Sequence, residues 1–469
     1  MDKDLQELKK NNSLDTKNDF LNQTFSNVKK AFVWLGFLAF FSVFNETVFN
    51  VTLPVIEKQF GVQPAAANWV NTSFILSFAI GTVIYGKISD VYGIRNLLVI
   101  GLLTYSGGSL FGILAHSYLP AIFAARFIQG AGASAVPALI MVMVARYVRS
   151  EDRGKAFGII GSLVAMGEGI GPAIGGIIAH YVHWSLLFII PMLTLVSMPF
   201  FLRELPNESI SKSKIDTLGA TLLSIGIVMF TLYTTQYNWI YIFISVFILA
   251  WFSVHIHRTK APFIKPSVFR NKKFIIGVLT GCILLSTVAG FLSMIPYMMR
   301  DVYQLNTVMI GMGILFPGTI SVIFFGIVGG ILVDKRGNNF VLSIGLVLII
   351  FSFLVISLLI DRAALLITVM LILILGGLSF VKTVISNCVA ASLKPEETGT
   401  GMSMLNFACF LSEGIGIAFV GGMLTNRTLD FPLLPGGNAS SLLYSNVLLV
   451  FTVMMIIGGT LYTLVFNRK

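Results

Sequence analysis

Residues Gly161–Gly176 read GSLVAMGEGIGPAIGG. The run is apolar enough for the interior of a bilayer. It nevertheless carries one carboxylate, Glu168, between Gly167 and Gly169, with Pro172 one turn further on. Backbone N–H and C=O groups in lipid must pair within the chain, so the stretch is expected to be helical. Gly167, Gly171 and Gly175 recur every four residues and share one face of that helix. Small residues on one face let another helix come close, and Pro172 removes a backbone hydrogen bond and permits a bend. The pattern reads as a hinge and a contact surface together. Glu168 lies about 100° around the helix from Gly167, at the edge of that surface. A charge at the bilayer centre costs on the order of 2.5–3.5 kcal/mol on insertion scales, so such residues are read as functional. Facing a cavity, Glu168 could take up a proton and lose it when water or a cationic substrate arrives. Packing alone would account for the glycines but not for the acid.

The stretch has an echo. EGIGPAIGG begins at Glu168 and EGIGIAFVGG begins at Glu413, an offset of 245. A second pattern, G-x-x-x-D-x-x-G, occurs as GKISDVYG (Gly86, Asp90, Gly93) and as GILVDKRG (Gly330, Asp334, Gly337), an offset of 244. Two unrelated patterns at nearly one offset predict an internal duplication. Spans 1–6 and 9–14 become two halves, with spans 7 and 8 inserted between them. Paired halves around a site near the membrane midplane are an architecture of secondary transporters.

The rest of the chain supports membrane spans. Of 469 residues, 56% are hydrophobic and 11% charged, where a soluble domain has about 25% charged residues. Apolar runs long enough to cross a bilayer recur along nearly the whole length, and the alternation of a membrane β-barrel is absent. Fourteen helices are predicted, over 31–53, 68–88, 97–116, 119–142, 156–180, 184–203, 217–236, 239–256, 274–299, 308–332, 340–360, 363–388, 400–424 and 443–465. The expected organisation is a polar, disordered tail over 1–30, a six-helix bundle over 31–203, the inserted helices with their linkers over 204–273, and a second six-helix bundle over 274–469. The tail has no apolar core of its own, so it does not read as a signal peptide. With both termini placed in the cytoplasm, 26 of the 32 Lys and Arg fall on the cytoplasmic side, four (Lys58, Arg300, Arg362, Arg427) outside, and two (Arg126, Lys382) within spans. That bias fixes the expected orientation. It also explains the formal charge of +11 without nucleic acid.

Five ionisable residues fall inside spans: Glu46, Arg126, Glu168, Lys382 and Glu413. Some could pair as buried salt bridges, but all five together mark a pathway for ions or substrate. Asp216 starts span 7, where an acid stabilises the helix dipole in any case. His180, His183, His255 and His257 read as interfacial, since a metal site needs more converging ligands. Cys282, Cys388 and Cys409 read as small buried residues. Asn-x-Ser/Thr recurs inside spans and carries no information here.

These motifs resemble a known family. GKISDVYGIRNLL (Gly86–Leu98) is similar to the loop 2–3 signature of the major facilitator superfamily. RFIQGAGAS, with Arg126, resembles its helix 4 motif, and GEGIGPAIGG the helix 5 motif of drug/proton antiporters. Fourteen spans match the fourteen-helix branch. The stretches NWVNTSFILSF, GKAFGIIGSLVAMGEGIGPAIGGIIAHYVHWS, GGLSFVKTVIS and LNFACFLSEGIGIAFVGG resemble the tetracycline efflux antiporters of Gram-positive bacteria. The likeness runs over nearly all of the chain after about residue 30. It implies an all-helical integral membrane protein of the major facilitator fold in a bacterial plasma membrane. It implies export of a tetracycline–divalent metal complex in exchange for protons, with sodium or potassium exchanged by some members. The metal arrives chelated by the drug, so neither a protein-only metal site nor a cofactor is implied, and a monomer suffices. Carried over by position, Glu46, Glu168 and Glu413 would handle cation and proton, Arg126 would support coupling, and Lys382 would be a second basic group in the cavity. Gly86, Asp90, Arg95 and Asp334 would form the cytoplasmic gate.

Independent features agree. No G-x-x-x-x-G-K-[ST] loop is present, so ATP is not the direct energy source. Neither H-E-x-x-H nor a G-x-S-x-G elbow is present, which argues against an enzyme. The rival reading within transport is a broader multidrug or quaternary-ammonium/proton antiporter, in which some of the 39 Phe bind flat cations. A passive channel would not need the repeat and the hinge glycines.

Overall fold

The computed structural model describes residues 28–148, 150–206, 216–259, 262, 264, 266, 271–393, 398–434, 438 and 440–466. The disorder expected of the tail falls mostly on residues 1–27, outside the described residues. Fourteen described helical spans are long and apolar enough to cross a bilayer, in number as expected. They are Lys30–Phe60, Pro64–Ser89, Ile94–Leu114, Leu119–Val144, Gly158–Tyr181, Trp184–Glu204, Thr217–Gln236, Trp239–Arg258, Lys272–Tyr303, Met309–Arg336, Asn338–Leu359, Ala364–Ala391, Gly401–Asn426 and Leu442–Phe466. An even number of crossings puts the first and last helices' free ends on one side, called here the termini face. The opposite side is the far face.

The repeated G-x-x-x-D-x-x-G has a local reason. Its last glycine, Gly93 or Gly337, is the one residue between two helices and has φ of 78° or 83°, a conformation side chains with a Cβ rarely adopt. Each glycine turns the chain directly from one span into the next.

Several spans depart from a plain helix. Span 1 extends past residue 53 to Phe60 because it is built in pieces. An α-helix, Val28–Thr47, gives way to a 3₁₀ turn, Asn50–Thr52, and a second α-helix starts at Leu53 with Pro54 in its first turn, where proline is tolerated. Span 6 is not the expected α-helix over 184–203. It runs as 3₁₀ turns over Trp184–Phe188 and Ile190–Ser197 before a short α-helix, Met198–Glu204, with prolines at 191 and 199 each removing a backbone donor. Span 10 opens with a π-helical segment, Met309–Leu315.

Spans 7 and 8 form a hairpin on the outside. Ser245 donates to the Gly226 carbonyl at 2.8 Å. Buried Asp216 accepts from the Gly219 N–H at 2.8 Å, capping span 7, and meets His255 of span 8 at 2.7 Å. His255 is therefore a structural partner of the acid rather than a loose interfacial residue. Span 7 packs Leu222, Leu223 and Ile227 on Leu76, Ala79, Ile80 and Phe407. Span 8 leaves Phe243 and Phe247 about 70% exposed, as a lipid-facing helix would.

Candidate functional site: a charged cavity between spans

One cavity brings together four of the five predicted intramembrane charges. Glu46 of span 1, Glu168 of span 5, Lys382 of span 12 and Glu413 of span 13 all line it. The cavity gives water centres about 110 Å³, room for several waters. Thr47, Asn50, Thr319 and Ser379 add polar groups; the remaining wall is Ile, Leu, Val, Ala and Pro, without an aromatic side chain. Each charge has a local reason for its place. Glu46 sits at the end of the first piece of span 1, just before the helix breaks after Thr47. Glu168 lies four residues before Pro172, whose missing N–H leaves the Glu168 carbonyl without its helical donor. Lys382 lies one turn beyond Ser379, whose hydroxyl is spent on the Val322 carbonyl. Among the described residues none of the four charges makes an ion pair within 4.0 Å. They are nonetheless electrostatic neighbours, since Lys382 feels all three carboxylates. An open arrangement of this kind can accept a cation or protons, whereas a closed salt bridge would first have to be broken.

Arg126 stands apart from this cavity. Its guanidinium is fully buried and donates to Asn45 Oδ1 (3.1 Å), the Asn45 carbonyl (3.1 Å), the Val70 carbonyl (3.0 Å) and Gln129 Oε1 (3.0 Å). The rings of Phe49 and Phe74 cover it at 4.3 and 4.2 Å. The sequence reading grouped Arg126 with the intramembrane charges of the cation and proton pathway, in support of coupling. The structure puts it one layer behind them, holding the residue next to Glu46 where span 1 breaks.

The glycine face of span 5 receives a helix, and that helix is span 1. A Cβ on Gly167 would stand 2.6 Å from the Phe40 carbonyl, one on Gly171 2.1 Å from Thr47 Oγ1, and one on Gly175 2.2 Å from the Val48 carbonyl. Pro172 does not interrupt the helix, which runs unbroken over Ser150–Tyr181. A different face of span 5 meets span 10. Thr319 donates to the Gly169 carbonyl at 3.2 Å and Thr307 to the Gly176 carbonyl at 3.0 Å.

The cavity is closed toward the far face. Arg300, near the end of span 9, binds Glu57 and donates to the Pro54 carbonyl of span 1. Asn68 of span 2 accepts from Tyr297 Oη at 2.9 Å and donates to the Ile417 carbonyl at 3.1 Å. Toward the termini face, Gly161, seven residues before Glu168 and on its side of the helix, has nothing within 4 Å of a Cβ; nor has Gly330 of span 10. Sequence reasoning missed Arg300, Glu57, Asn68, Tyr297 and Thr319. The ion pair spans 243 residues, and no spacing in the chain connects its ends.

The predicted gate residues lie at the termini-face ends of spans 2, 3 and 10. Gly86 is exposed, Asp334 is exposed and Arg95 is half-buried. Asp90 lies in the helix that ends at Tyr92, and its side chain falls outside what is described.

Comparison with known proteins agrees with this architecture. Residues 35–417 match the Major Facilitator Superfamily. Riboflavin transporter RibZ of Clostridioides difficile is 24% identical over 444 residues, covering 92% of this chain and 95% of its own. Multidrug resistance protein 3 of Bacillus subtilis is 27% identical over 412 residues, 84% and 80% of the two chains. Among solved structures, a bacterial homologue of the human lysosomal transporter Spinster, in an inward-facing conformation, superposes with a TM-score of 0.66 at 14% identity, covering 93% of this chain and 96% of that one. With its match over most of the length, fourteen spans and a charged cavity between them, the chain belongs to the Major Facilitator Superfamily, a family of multi-pass membrane transporters rather than enzymes.

Proposed function

We propose that this protein is a proton-coupled antiporter that exports a tetracycline–divalent metal complex from the cytoplasm. The six-helix halves 31–203 and 274–469 rock about the cavity, and residues 204–273 brace them. The observation that carries the reading is the cavity itself: three carboxylates and one ammonium, from four spans, unpaired in an aliphatic pocket. A cationic metal chelate suits that charge, and its flat apolar body suits the aliphatic wall. The metal is part of the cargo, held by the drug's own oxygens, with sodium or potassium as lesser cationic cargo. Both termini lie in the cytoplasm of a bacterial plasma membrane, so the closed far face is outside and the state is inward-open. Gly86, Asp90, Arg95 and Asp334 then close the cytoplasmic mouth in the opposite state. Exchange for protons draws on the proton gradient across the membrane, with the electrical part contributing only for each net charge moved, about 2.3 kcal/mol per 100 mV.

The names of two relatives, multidrug resistance protein 3 and multidrug transporter protein MdtP, support a broader multidrug or quaternary-ammonium exporter. Against that stands the lack of any aromatic residue in the cavity wall, since aromatic faces are the usual hosts of quaternary ammonium. Tetracycline uptake into everted membrane vesicles under an imposed proton gradient, with and without Mg²⁺, separates the two. Gradient-driven uptake that requires the metal is expected. Metal-independent uptake of quaternary cations without tetracycline uptake would overturn the proposal in favour of the multidrug reading.

A further inference from the structure

The transport reading leaves one pair of reactive side chains unused. Cys282 of span 9 and Cys409 of span 13 are free thiols that hydrogen-bond to each other. Cys282 Sγ also donates to the Ala408 carbonyl at 3.3 Å. Glycines bring the two helices together. A Cβ on Gly281 would stand 3.4 Å from Cys409 Sγ, and one on Gly416 2.2 Å from the Ser286 carbonyl. Spans 9 and 13 therefore cross with little side chain between them, as small residues allow. Cys409 lies four residues before Glu413, one helical turn toward the termini face. The Glu413 carboxylate and the Lys382 ammonium both act on the pair, so it borders the charged cavity. Expected from the sequence as a small buried residue, Cys388 is one: its Sγ meets Tyr462 Oη at 3.2 Å in another part of the bundle. Cys282 and Cys409 are instead two thiols facing each other across a helix crossing.

Two thiols held this way suit a soft centre that needs two sulfur ligands and no more. Among the described residues no group of three His, Cys, Asp or Glu could hold a metal ion, so four-coordinate zinc does not fit. Trivalent arsenic with one position already filled by carbon does. We infer that Cys282 and Cys409 form a dithiol site for a singly substituted trivalent arsenical, and that bridging them stops transport. With phenylarsine oxide the step balances without an oxidant. Both thiols give their protons to the oxygen, which leaves as water. Two arsenic–sulfur bonds replace the arsenic–oxygen double bond, the phenyl group stays in place, and arsenic remains trivalent. Access is from the termini face, where Gly161 and Gly330 leave open space, and Cys282 is only half-buried. Once the first bond has formed the second is intramolecular, so the pair holds the arsenical more tightly than a lone thiol could. The bridge ties span 13 to span 9 one turn from Glu413 and sets a phenyl ring at the edge of the cavity. Inhibition of this kind does not depend on the identity of the cargo.

The test treats the full chain in proteoliposomes with phenylarsine oxide and reads intact mass, free-thiol count and uptake of tetracycline with Mg²⁺. The wild type is expected to gain one phenylarsenic group, to lose two of its three thiols and to stop taking up cargo. 2,3-Dimercaptopropanol should reverse all three changes, and mercaptoethanol at the same thiol concentration should reverse none. C282S and C409S are each expected to release the arsenical to mercaptoethanol and to recover the uptake they had before treatment. C388S is expected to respond as the wild type does. A wild type that keeps all three thiols free overturns the inference, as does one that loses the Cys388 thiol instead. So does a bridged protein whose uptake is unchanged. If a serine variant fails to insert, peptide mapping of the treated wild type decides: arsenic joining the Cys282 and Cys409 peptides supports the site, and any other attachment overturns it. Mass and thiol count need no cargo, so a chain that bridges but moves no tetracycline before treatment sinks the proposed function and not the dithiol site.

Discussion

The two echoing stretches, Glu168–Gly176 and Glu413–Gly422, make the same contacts with exchanged partners. Gly171 backs onto span 1 and Gly416 onto span 9, the spans that open the two halves. Gly169 meets span 10 of the opposite half, at Thr319, and Gly414 meets span 2, at Ile75 and Leu76. Gly176 lies on the Thr307 carbonyl, Gly421 on Ala65 and Asn68. Each stretch thus fixes an acid between its own half's first span and the other half's second. The differences fall at four places. In register, Pro172 corresponds to Ile417, Ile174 to Phe419, Gly175 to Val420 and, just ahead of the acid, Gly167 to Ser412. The stretch in span 5 is therefore thinner and short of one hydrogen bond, while that in span 13 is bulkier and fully bonded. The symmetry places the acids; the asymmetry makes span 5 the more deformable member of the pair.

The largest test is removal of either acid. E168Q and E413Q are each expected to abolish drug/proton exchange in everted vesicles while leaving insertion intact. Exchange retained in both would break the assignment. Loss in only one would show that the duplication of the acid is structural and not functional.

A smaller effect separates the glycines. Alanine at 416 would put a Cβ 2.2 Å from the Ser286 carbonyl and within 3.1 Å of the same residue's backbone carbon atoms, so main chain has to move. Alanine at 171 meets first a side-chain hydroxyl, Thr47 Oγ1 at 2.1 Å, with the nearest backbone atom, the Phe44 carbonyl oxygen, at 3.2 Å. The hydroxyl can rotate away. G416A is expected to cost about 1–3 kcal/mol, the range for overpacking, and G171A less, read as thermal unfolding in detergent. Equal losses would mean that span 1 is as rigid against span 5 as span 9 is against span 13.

Much of this comparison could be read from the chain, because it rests on offset and on residue size. The offset of about 245 gives the pairing of stretches, and glycines four apart announce a helix contact. Which helix docks is not written there. The glycine face of span 5 meets span 1 of its own half, and only Gly169 and Gly176 reach the other half. The break in span 1 is also hidden. Glu46, Thr47 and Val48 hold no glycine or proline, and the helix stops where the Arg126 guanidinium takes the Asn45 carbonyl, a tertiary cause. The rival multidrug reading had some of the many phenylalanines bind flat cations, yet the ring contacts run within and between helices, as at Phe40–Phe44 and Phe291–Phe353, and none of these rings lines the cavity. Composition counts side chains and cannot say which of them face a cavity.

The finest test concerns Pro172 against Ile417. Proline at 172 withholds a donor from the Glu168 carbonyl, yet the helix passes through it without a break, so the static structure shows little sign of strain. Its effect must then appear in motion. P172A restores the N–H and is expected to raise stability by roughly 1 kcal/mol or less, since a freed carbonyl in a membrane bundle usually finds another partner. It is also expected to slow turnover severalfold with cargo affinity unchanged, because a span that cannot flex beside its acid must move as one rod with span 1. Thermal unfolding reads the first effect, and uptake rate against cargo concentration reads the second. A raised unfolding temperature with unchanged turnover would make Pro172 a packing residue and leave span 5 no more deformable than span 13. A raised temperature with slowed turnover would tie the difference between proline and isoleucine to the transport cycle.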